Sequence, residues 1–511
     1  MALACAWSIG LRGLEGEVVE IEADIGTGLP GVALVGLPDA ALHESRDRVR
    51  AAVVNSGETW PARRVTLALS PATLPKQGSG YDVALACVVL AAARSVPPSP
   101  LHDTVLLGEL ALDGRVRAVR GVLPCLLAAR RAGMRRAVVP IGALEEAAVV
   151  DGIEVLGAEN LRDVLAWLRG AAHRLHTATT PPRRSPLPPE DLADVVGQQQ
   201  ARRAVEVAAA GGHNLLLLGP PGAGKTMLAR RLVGILPDLE VEEALQVAAV
   251  RSLAGAVDPD ETLPTTRPFV APHHSLSVAA VVGGGSGLAR PGAVSLAHRG
   301  VLFLDEVAEF GPQLLETLRT PLEEGEVRLA RKDGVVCYPA RFQLVMASNP
   351  CPCAPALPTS CECTSVELRR YRTRLSGPLL DRVDLRVTLQ PVSCLTGGVD
   401  DAGDPTDPAV PENTATVRAR VVRAREAARD RWTGTGWLCN ADVPGPALRR
   451  RDPLPRDVTA ELDTQLRHGL ITARGVDRTL RVAWTTADLR GAARPGTDDV
   501  HEALTLKVAA A

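Results

Sequence analysis

Three short stretches of this 511-residue sequence carry residue types whose spacing allows chemistry. The first is Gly219-Pro220-Pro221-Gly222-Ala223-Gly224-Lys225-Thr226, which fits G-x-x-x-x-G-K-[ST] at every required position. Glycines in such a loop let backbone N–H groups turn inward around phosphates without a Cβ clash. Lys225 supplies positive charge to the β- and γ-phosphates, and the Thr226 hydroxyl suits Mg2+ coordination. The second stretch is Asp305-Glu306, directly after the apolar run Val301–Leu304. Asp305 is suited to hold Mg2+ through water, and Glu306 to polarise an attacking water. The two stretches together predict that ATP is hydrolysed as well as bound. The third comprises Cys351, Cys353, Cys361 and Cys363, a C-x-C-x7-C-x-C cluster. Four thiolates in a short loop can satisfy tetrahedral Zn2+ and staple a segment that has no core of its own. The spacing is tighter than the common C-x2-C knuckle, and a loop of free thiols is the competing reading. Adjacent histidines, His273-His274, could also suggest a metal, but neighbouring side chains diverge on most backbones and no carboxylate lies near them in sequence. A pore-lining or structural role is expected for them instead.

Elements of the right kind surround these residues. The apolar stretch Asn214–Leu218 runs into the Gly-rich loop, and a helix is expected over Lys225–Ile235, its positive end toward the anion. Val301–Leu304 and Gln343–Ala347 read as buried strands ending in Asp305-Glu306 and Ser348-Asn349. Polar residues at the carboxyl ends of parallel strands are where open α/β sheets bind ligands. Upstream, Val18, Ile21, Val32–Val35 and Val65–Leu69 suggest strands; helices are expected over 39–55, 81–93 and 123–132. The fold class is therefore α/β. A Pro-, Thr- and Arg-rich stretch at 171–187 reads as a linker without regular structure, and a second loop at 396–414 precedes an Arg-rich helical tail. Domains of 1–170, 188–395 and 396–511 follow.

Composition excludes several classes. The sequence is 46% apolar and 23% charged, which is ordinary for a globular protein; aromatic residues make up only 3%, so the cores must be built from Ala, Val and Leu. A formal net charge of -2 provides no global attraction to nucleic acid, so any such binding needs local basic surface or a pore. Met1–Gly10 lacks the basic start of a signal peptide, and Val83–Ala93 is too short to cross a bilayer. A cytoplasmic protein without a membrane partner is expected. The scattered Cys5, Cys87, Cys125, Cys337, Cys394 and Cys439 then read as buried small hydrophobes rather than disulfide halves.

The segments "DVVGQQQARRAVEVAAAGGHNLLLLGPPGAGKTMLARRL", "RPFVAPHHSLSVAAVVGGG", "HRGVLFLDEVAEF", "MASNPCPCAP" and "RYRTRLSGPLLDRVDL" resemble, in order, the magnesium-chelatase-like AAA+ ATPases of the ComM/YifB type. The resemblance covers nearly the whole chain. It implies a central AAA+ domain with a C-terminal helical lid. Val196, Gly197 and Gln198 fall where such proteins pack the adenine, and Asn349 matches sensor 1, which orients the lytic water. Arg382 matches an arginine finger reaching a neighbouring subunit, worth about 10^3 to 10^5 in rate; Arg474 matches sensor 2, with Arg478 one turn away as its alternative. A finger acting in trans implies a homo-hexameric ring, and the 267–290 insertion, with Arg267, His273, His274 and Gly283–Gly285, matches segments that line its pore.

"LPKQGSGYDVALA" and "GELALDGRVRAVRGVLPCLLAARRAG" resemble the two active-site segments of Lon, which implies a Lon-protease-like (ribosomal-S5-type) α+β domain. Peptide hydrolysis there needs a Ser nucleophile and a Lys base. Gly80 occupies the nucleophile position, with Ser79 one residue early, and Val122–Cys125 contains no Lys. A scaffold or recognition module is expected rather than a protease. The resemblance thus implies a DNA motor, a helicase driving branch migration during recombination of transforming DNA. The alternative is a magnesium-chelatase-like ATPase that remodels a protein partner. Six arginines at 418, 420, 423, 425, 429 and 431 are either a solvated lid face or a contact for DNA phosphates.

Overall fold

The computed structural model describes residues 3–507, apart from 38, 75, 77, 179–189, 259–260, 262, 286–288, 332–333, 356–359, 375–376, 391–397, 400–404 and 407–410. Much of the expected linker and of the 396–414 loop therefore lies outside the described residues.

The first part of the chain builds one eight-stranded mixed sheet. Its strands are β1 (Leu3–Arg12), β2 (Glu15–Gly26), β3 (Gly31–Val35), β4 (Arg64–Ser70), β5 (Thr104–Leu106), β6 (Arg136–Pro140), β7 (Glu154–Ala158) and β8 (His176–Thr177), in the spatial order β8-β7-β6-β5-β1-β2-β4-β3. Helices α1 (Ala40–Asn55), α2 (Asp82–Ala92), α3 (Val122–Arg131) and α4 (Leu161–Leu168) cover it. Asp39 starts α1 by accepting the Leu42 N–H at 2.8 Å, a side-chain cap that satisfies an otherwise orphan donor. Every residue of α2 is buried; its Ala- and Val-rich sequence lets it sit inside a core with few aromatics. β8 falls within the stretch expected to lack regular structure. It pairs with Leu156 and Gly157 of β7, because the sheet's edge offers free backbone groups that a nearby extended segment can satisfy.

The second part is a five-stranded, wholly parallel sheet of β9 (Leu215–Leu218), β10 (Phe269–Val270), β11 (Val301–Leu304), β14 (Gln343–Ser348) and β15 (Leu385–Thr388), ordered β10-β11-β14-β9-β15. A separate hairpin, β12 (Glu326–Arg331) with β13 (Gly334–Pro339), projects between β11 and β14 in sequence. Strand β9 is flanked on both sides, so Leu215–Leu217 are buried as a continuous apolar run, the pattern expected of a parallel sheet covered on both faces. Helices α5 (Gln199–Gly211) and α6 (Lys225–Ile235) share a core with it, α7 (Val241–Ala254) lies toward the first part of the chain, and α8 (Ser365–Arg374) precedes β15. The connection to the first part is direct: Gly121 N–H donates to the Ser252 carbonyl at 3.3 Å, and Ala248 and Ala249 of α7 share a core with Leu126 and Ala129 of α3. A side chain at Gly121, whose φ is +76°, would strike Leu11 and Leu253.

The C-terminal part is helical among the described residues after 411: α9 (Thr414–Arg431), α10 (Arg456–Arg467), α11 (Ala473–Arg490) and α12 (Thr497–Thr505). Trp432 and Trp484 anchor it, 1% and 2% exposed, edge to face at 6.3 Å. No helix among the described residues is long and apolar enough to cross a membrane. No disulfide links the described cysteines; Cys87, Cys125 and Cys439 are buried as expected, whereas Cys5 is only half-buried, Cys337 is exposed on the hairpin, and Cys394 lies outside the described residues.

His298 joins α7 to the start of β14. Its Nδ1 accepts the Arg341 backbone N–H at 3.1 Å, so its Nε2–H donates to Gln246 Oε1 at 3.0 Å. Burial, helped by the charges of Arg299 and Arg341, lowers its pKa to about 3. The unfolded chain takes up this proton near pH 6.5 and the folded one does not, so stability is lost as pH falls from 6.5 toward 3. Thermal melting between pH 6.5 and 5 is expected to depend less steeply on pH in His298→Gln, by up to about 1.4 kcal/mol per pH unit. An unchanged slope would contradict the assignment.

Candidate functional site

The parallel register makes the site. Leu218 of β9 is level with Ser348 of β14 and Thr388 of β15, so the loop leaving β9 and the residue after β14 meet at one edge of the sheet. Gly219 N–H donates to the Ser348 carbonyl at 3.2 Å. Gly222 and Gly224 have φ of +77° and +91°, a backbone region that side-chain-bearing residues rarely enter. The chain then enters α6 at Lys225.

Lys225 is buried, and its ammonium donates to the carbonyls of Gly219 at 2.6 Å and Pro220 at 2.9 Å and to Asn349 Oδ1 at 3.0 Å. Desolvation lowers its pKa, opposed by the charges of Asp305 and Glu306. Thr226 Oγ1 donates to Asp305 Oδ2 at 2.8 Å. The structure therefore brings together Lys225, Thr226, Asp305 and Asn349 from three separate segments. Two oxygen donors side by side, a hydroxyl and a carboxylate, are the ligand chemistry that a hard cation such as Mg2+ takes.

Glu306 has φ +50°. Its backbone N–H bonds Asp305 Oδ1 at 3.0 Å, and its carboxylate makes no hydrogen bond to a described residue. A non-glycine residue in this region costs about 1–3 kcal/mol and is held there by its surroundings.

Val196, Gly197 and Gln198 lie in the turn before α5. Gln198 Nε2 donates to the Gln390 carbonyl at 2.6 Å and approaches the Ala223 carbonyl at 3.4 Å, which ties this turn to the Gly-rich loop. Arg382 is ion-paired with Glu323. Arg474 is exposed in the first turn of α11, without a partner among the described residues. Arg478 is engaged elsewhere: it donates to the Val383 carbonyl at 3.3 Å and lies 3.6 Å from Asp384. Of the two, Arg474 is the one left available to a ligand.

Three expectations need correction. Arg267 is not an exposed side chain: it is largely buried and bonds the carbonyls of Pro237 and Arg299 and the Glu243 carboxylate. His273 and His274 are not remote from carboxylates: with Thr226, Arg230, Asp305 and Glu306 they line one cleft of about 300 Å3. The sequence hid this, because only the pairing of the two-residue strand β10 with β11 brings them there. Most arginines of α9 are committed within the chain. Arg418 pairs with Asp238, Arg420 with Glu206 and Glu412, Arg429 with Glu240 and Arg431 with Asp488, while Arg425 bonds the Ala209 carbonyl. All but Arg431, whose partner lies on α11, bind lid to core, leaving Arg423 as the one without a partner among the described residues.

In the first part, Val122 to Cys125 are buried and Ser79 bonds the Glu109 carboxylate. Lys76 is buried against the Pro71 carbonyl, and desolvation lowers its pKa.

The sulfurs of Cys351, Cys353, Cys361 and Cys363 all lie within 4.8 Å of one another. Three of the separations are 3.4, 3.6 and 3.7 Å, and tetrahedral Zn–S bonds of about 2.3 Å require sulfurs roughly 3.8 Å apart. The donor set fits zinc, and Cys351 stands two residues from Asn349. Protein purified without chelator is expected to carry about one zinc per chain by elemental analysis. The Cys353→Ser/Cys361→Ser variant is expected to carry almost none. Equal zinc in both would refute the site.

The geometry defines a P-loop nucleotide-binding α/β protein with a helical lid. Comparison with known proteins is more specific. Residues 191–396 match the family described as magnesium chelatase, subunit ChlI; residues 21–143 match subunit ChlI of Mg-chelatase, and 411–507 the ChlI C-terminal family. An uncharacterized protein of Mycobacterium tuberculosis is 60% identical over 510 residues, 99% of both chains. YifB of Escherichia coli, also uncharacterized, is 41% identical over 492 residues, 96% of this chain and 94% of that one. The competence protein ComM of Haemophilus influenzae is 39% identical over 498 residues, again 96% and 94%. The chain belongs to the magnesium-chelatase-like AAA+ family, among its ComM/YifB-type members.

Proposed function

We propose that this protein is an Mg2+-dependent ATPase that assembles into a homo-hexameric ring and drives DNA branch migration, as a helicase-type motor in recombination of incoming DNA. The observation that carries the ATPase reading is the convergence of Lys225, Thr226, Asp305 and Asn349 at the carboxyl ends of three adjacent parallel strands. Lys225, now satisfied by loop carbonyls, would exchange them for β- and γ-phosphate oxygens. Thr226 and Asp305 would hold Mg2+, which supplies charge neutralisation on the phosphates when bound. Glu306 would polarise the attacking water and Asn349 orient it. Val196, Gly197 and Gln198 would receive the adenine, and the Gly219–Gly224 backbone the phosphates.

Arg382 would act as the finger toward the neighbouring subunit, which requires that Glu323 release it; Arg474 would close the lid on the nucleotide. Zinc on the four cysteines would stiffen the loop that begins at Asn349. The first part of the chain, read as a Lon-like fold, would serve as a scaffold, since Ser79 is engaged by Glu109 and its lysine-position segment is apolar.

DNA as the substrate rests on the likeness to a competence protein, and the charge balance does not supply it independently. Steady-state ATP hydrolysis with and without forked and four-way DNA tests both levels. Turnover is expected to rise with branched DNA, and labelled four-way junctions to resolve only with ATP. Lys225→Ala is expected to lower turnover by at least about 100-fold, in line with the loss of a phosphate-clamping charge. ATP turnover indifferent to every DNA tested would overturn the motor and favour remodelling of a protein partner.

A further inference from the structure

Asn214, the residue before β9, commits all its polar atoms to the segments on either side of it. Its Nδ2 donates to the Arg382 carbonyl and its Oδ1 accepts the Leu344 N–H, each at 2.9 Å. Its backbone carbonyl accepts the N–H groups of Asp384 at 3.0 Å and Leu385 at 3.1 Å, and its own N–H donates to Asp384 Oδ2 at 3.3 Å. A donor and an acceptor on one planar group are what a carboxamide offers and a carboxylate does not. A carbonyl on one side and an N–H on the other also allow only one orientation of the amide.

Sheet pairing alone does not reach as far as Arg382. The ladder starts with Leu215 beside Val345 of β14 and beside Leu385 of β15. The Asn214 side chain extends it on both flanks, and on one of them takes hold of the chain ahead of β15. That chain is further held at Asp384, which Arg478 of α11 approaches at 3.6 Å. The Arg382 guanidinium itself reaches Glu323.

The far ends of the same strands carry the nucleotide groups. Strand β9 has four residues, so about 13 Å separates Asn214 from the Gly-rich loop at roughly 3.3 Å per residue. Strand β14 runs from beside Asn214 to Asn349, which bonds Lys225. One amide thus joins the Arg382 backbone to both strands that shape the subunit's own site. A guanidinium that leaves Glu323 for a neighbour is aimed only as well as its backbone is fixed, and a misplacement of about 1 Å can cost about 100-fold in rate.

We propose that Asn214 is a positioning residue for Arg382: by fixing the Arg382 carbonyl to β9 and β14, it aims the guanidinium at the terminal phosphate held by the neighbouring subunit. This rests on the reading of Arg382 as a finger acting in trans. A defect in such a residue is felt at the neighbour's site and spares its own.

The test uses the full-length protein carrying Asn214→Ala or Asn214→Asp; the second keeps an acceptor for Leu344 and loses the donor to Arg382. Each is assayed for ATP turnover alone, and again after mixing in equal amounts, before ring assembly, with Glu306→Gln. Subunits of Glu306→Gln keep the nucleotide pocket and Arg382 but hydrolyse slowly. Both Asn214 variants are expected to lose at least about tenfold in kcat, with KM for ATP changed less than about threefold. In the mixture half of the variant subunits meet an intact finger, so turnover is expected to reach about a quarter of wild type. That is several times the mean of the two proteins assayed apart. Arg382→Ala is expected to be rescued in the same way, whereas damage to the fold of the variant subunit is not repaired by a neighbour. Turnover within twofold of wild type in either Asn214 variant would overturn the proposal. So would Asn214 variants that stay inactive in a mixture that rescues Arg382→Ala. Arg382→Ala left without rescue would remove the finger reading, and this proposal with it.

Discussion

A lysine ammonium buried among carbonyl oxygens is the interaction on which the rest of this structure depends. Burying such a charge is costly unless it is fully hydrogen-bonded, and Lys225 meets the cost with two loop carbonyls and Asn349 Oδ1. Each partner sits where it does because of the parallel sheet. Strand β9 delivers the loop, and β14, in register beside it, delivers Asn349. An arriving anion offers stronger partners to the same ammonium, so the resting contacts are weak enough to exchange yet sufficient to hold the loop shaped.

The same sheet edge gathers the acidic groups. Strand β11 ends in Asp305, which meets Thr226 at the start of α6, and the edge strand β10 ends near His273 and His274. The flanking parts are fastened to this core by different means. Apolar burial and one backbone hydrogen bond join α3 to α7, whereas the lid is tied by the arginines of α9, which reach Asp238, Glu206, Glu240 and the Ala209 carbonyl. Asp384, beside His213 and Arg478, links α11 to the segment that begins at Arg382. A lid that moves with bound nucleotide would therefore pull on that segment.

The sequence shows the nucleotide loop, the acidic pair and the strands before them, because each signal is local: a glycine pattern, or an apolar run ending in carboxylates. It does not show what depends on register. A two-residue strand has too little pattern to announce its pairing, so the histidines read as remote from any carboxylate although they share a cleft with two. Strand β1, "LACAWSIGLR", is not legible in the sequence because small residues blur its alternation of buried and exposed positions. The arginines of α9 were ambiguous for a related reason: helical spacing shows that they spread over several faces but not which acidic residues lie opposite. Asn349 and Arg382 became candidates through family resemblance; only the geometry shows Asn349 bonded to Lys225 and Arg382 paired with Glu323.

The central claim is that Lys225, Thr226 and Asp305 form one site for a magnesium nucleotide. Isothermal titration of MgATP into the Glu306→Gln variant, which keeps the pocket but slows hydrolysis, measures it most directly. The account requires one nucleotide per site with a Kd in the micromolar range, about -8 kcal/mol, weakened at least tenfold when Mg2+ is chelated and when Lys225→Ala is added. Absence of binding in Glu306→Gln, or binding indifferent to both Mg2+ and Lys225, would contradict it.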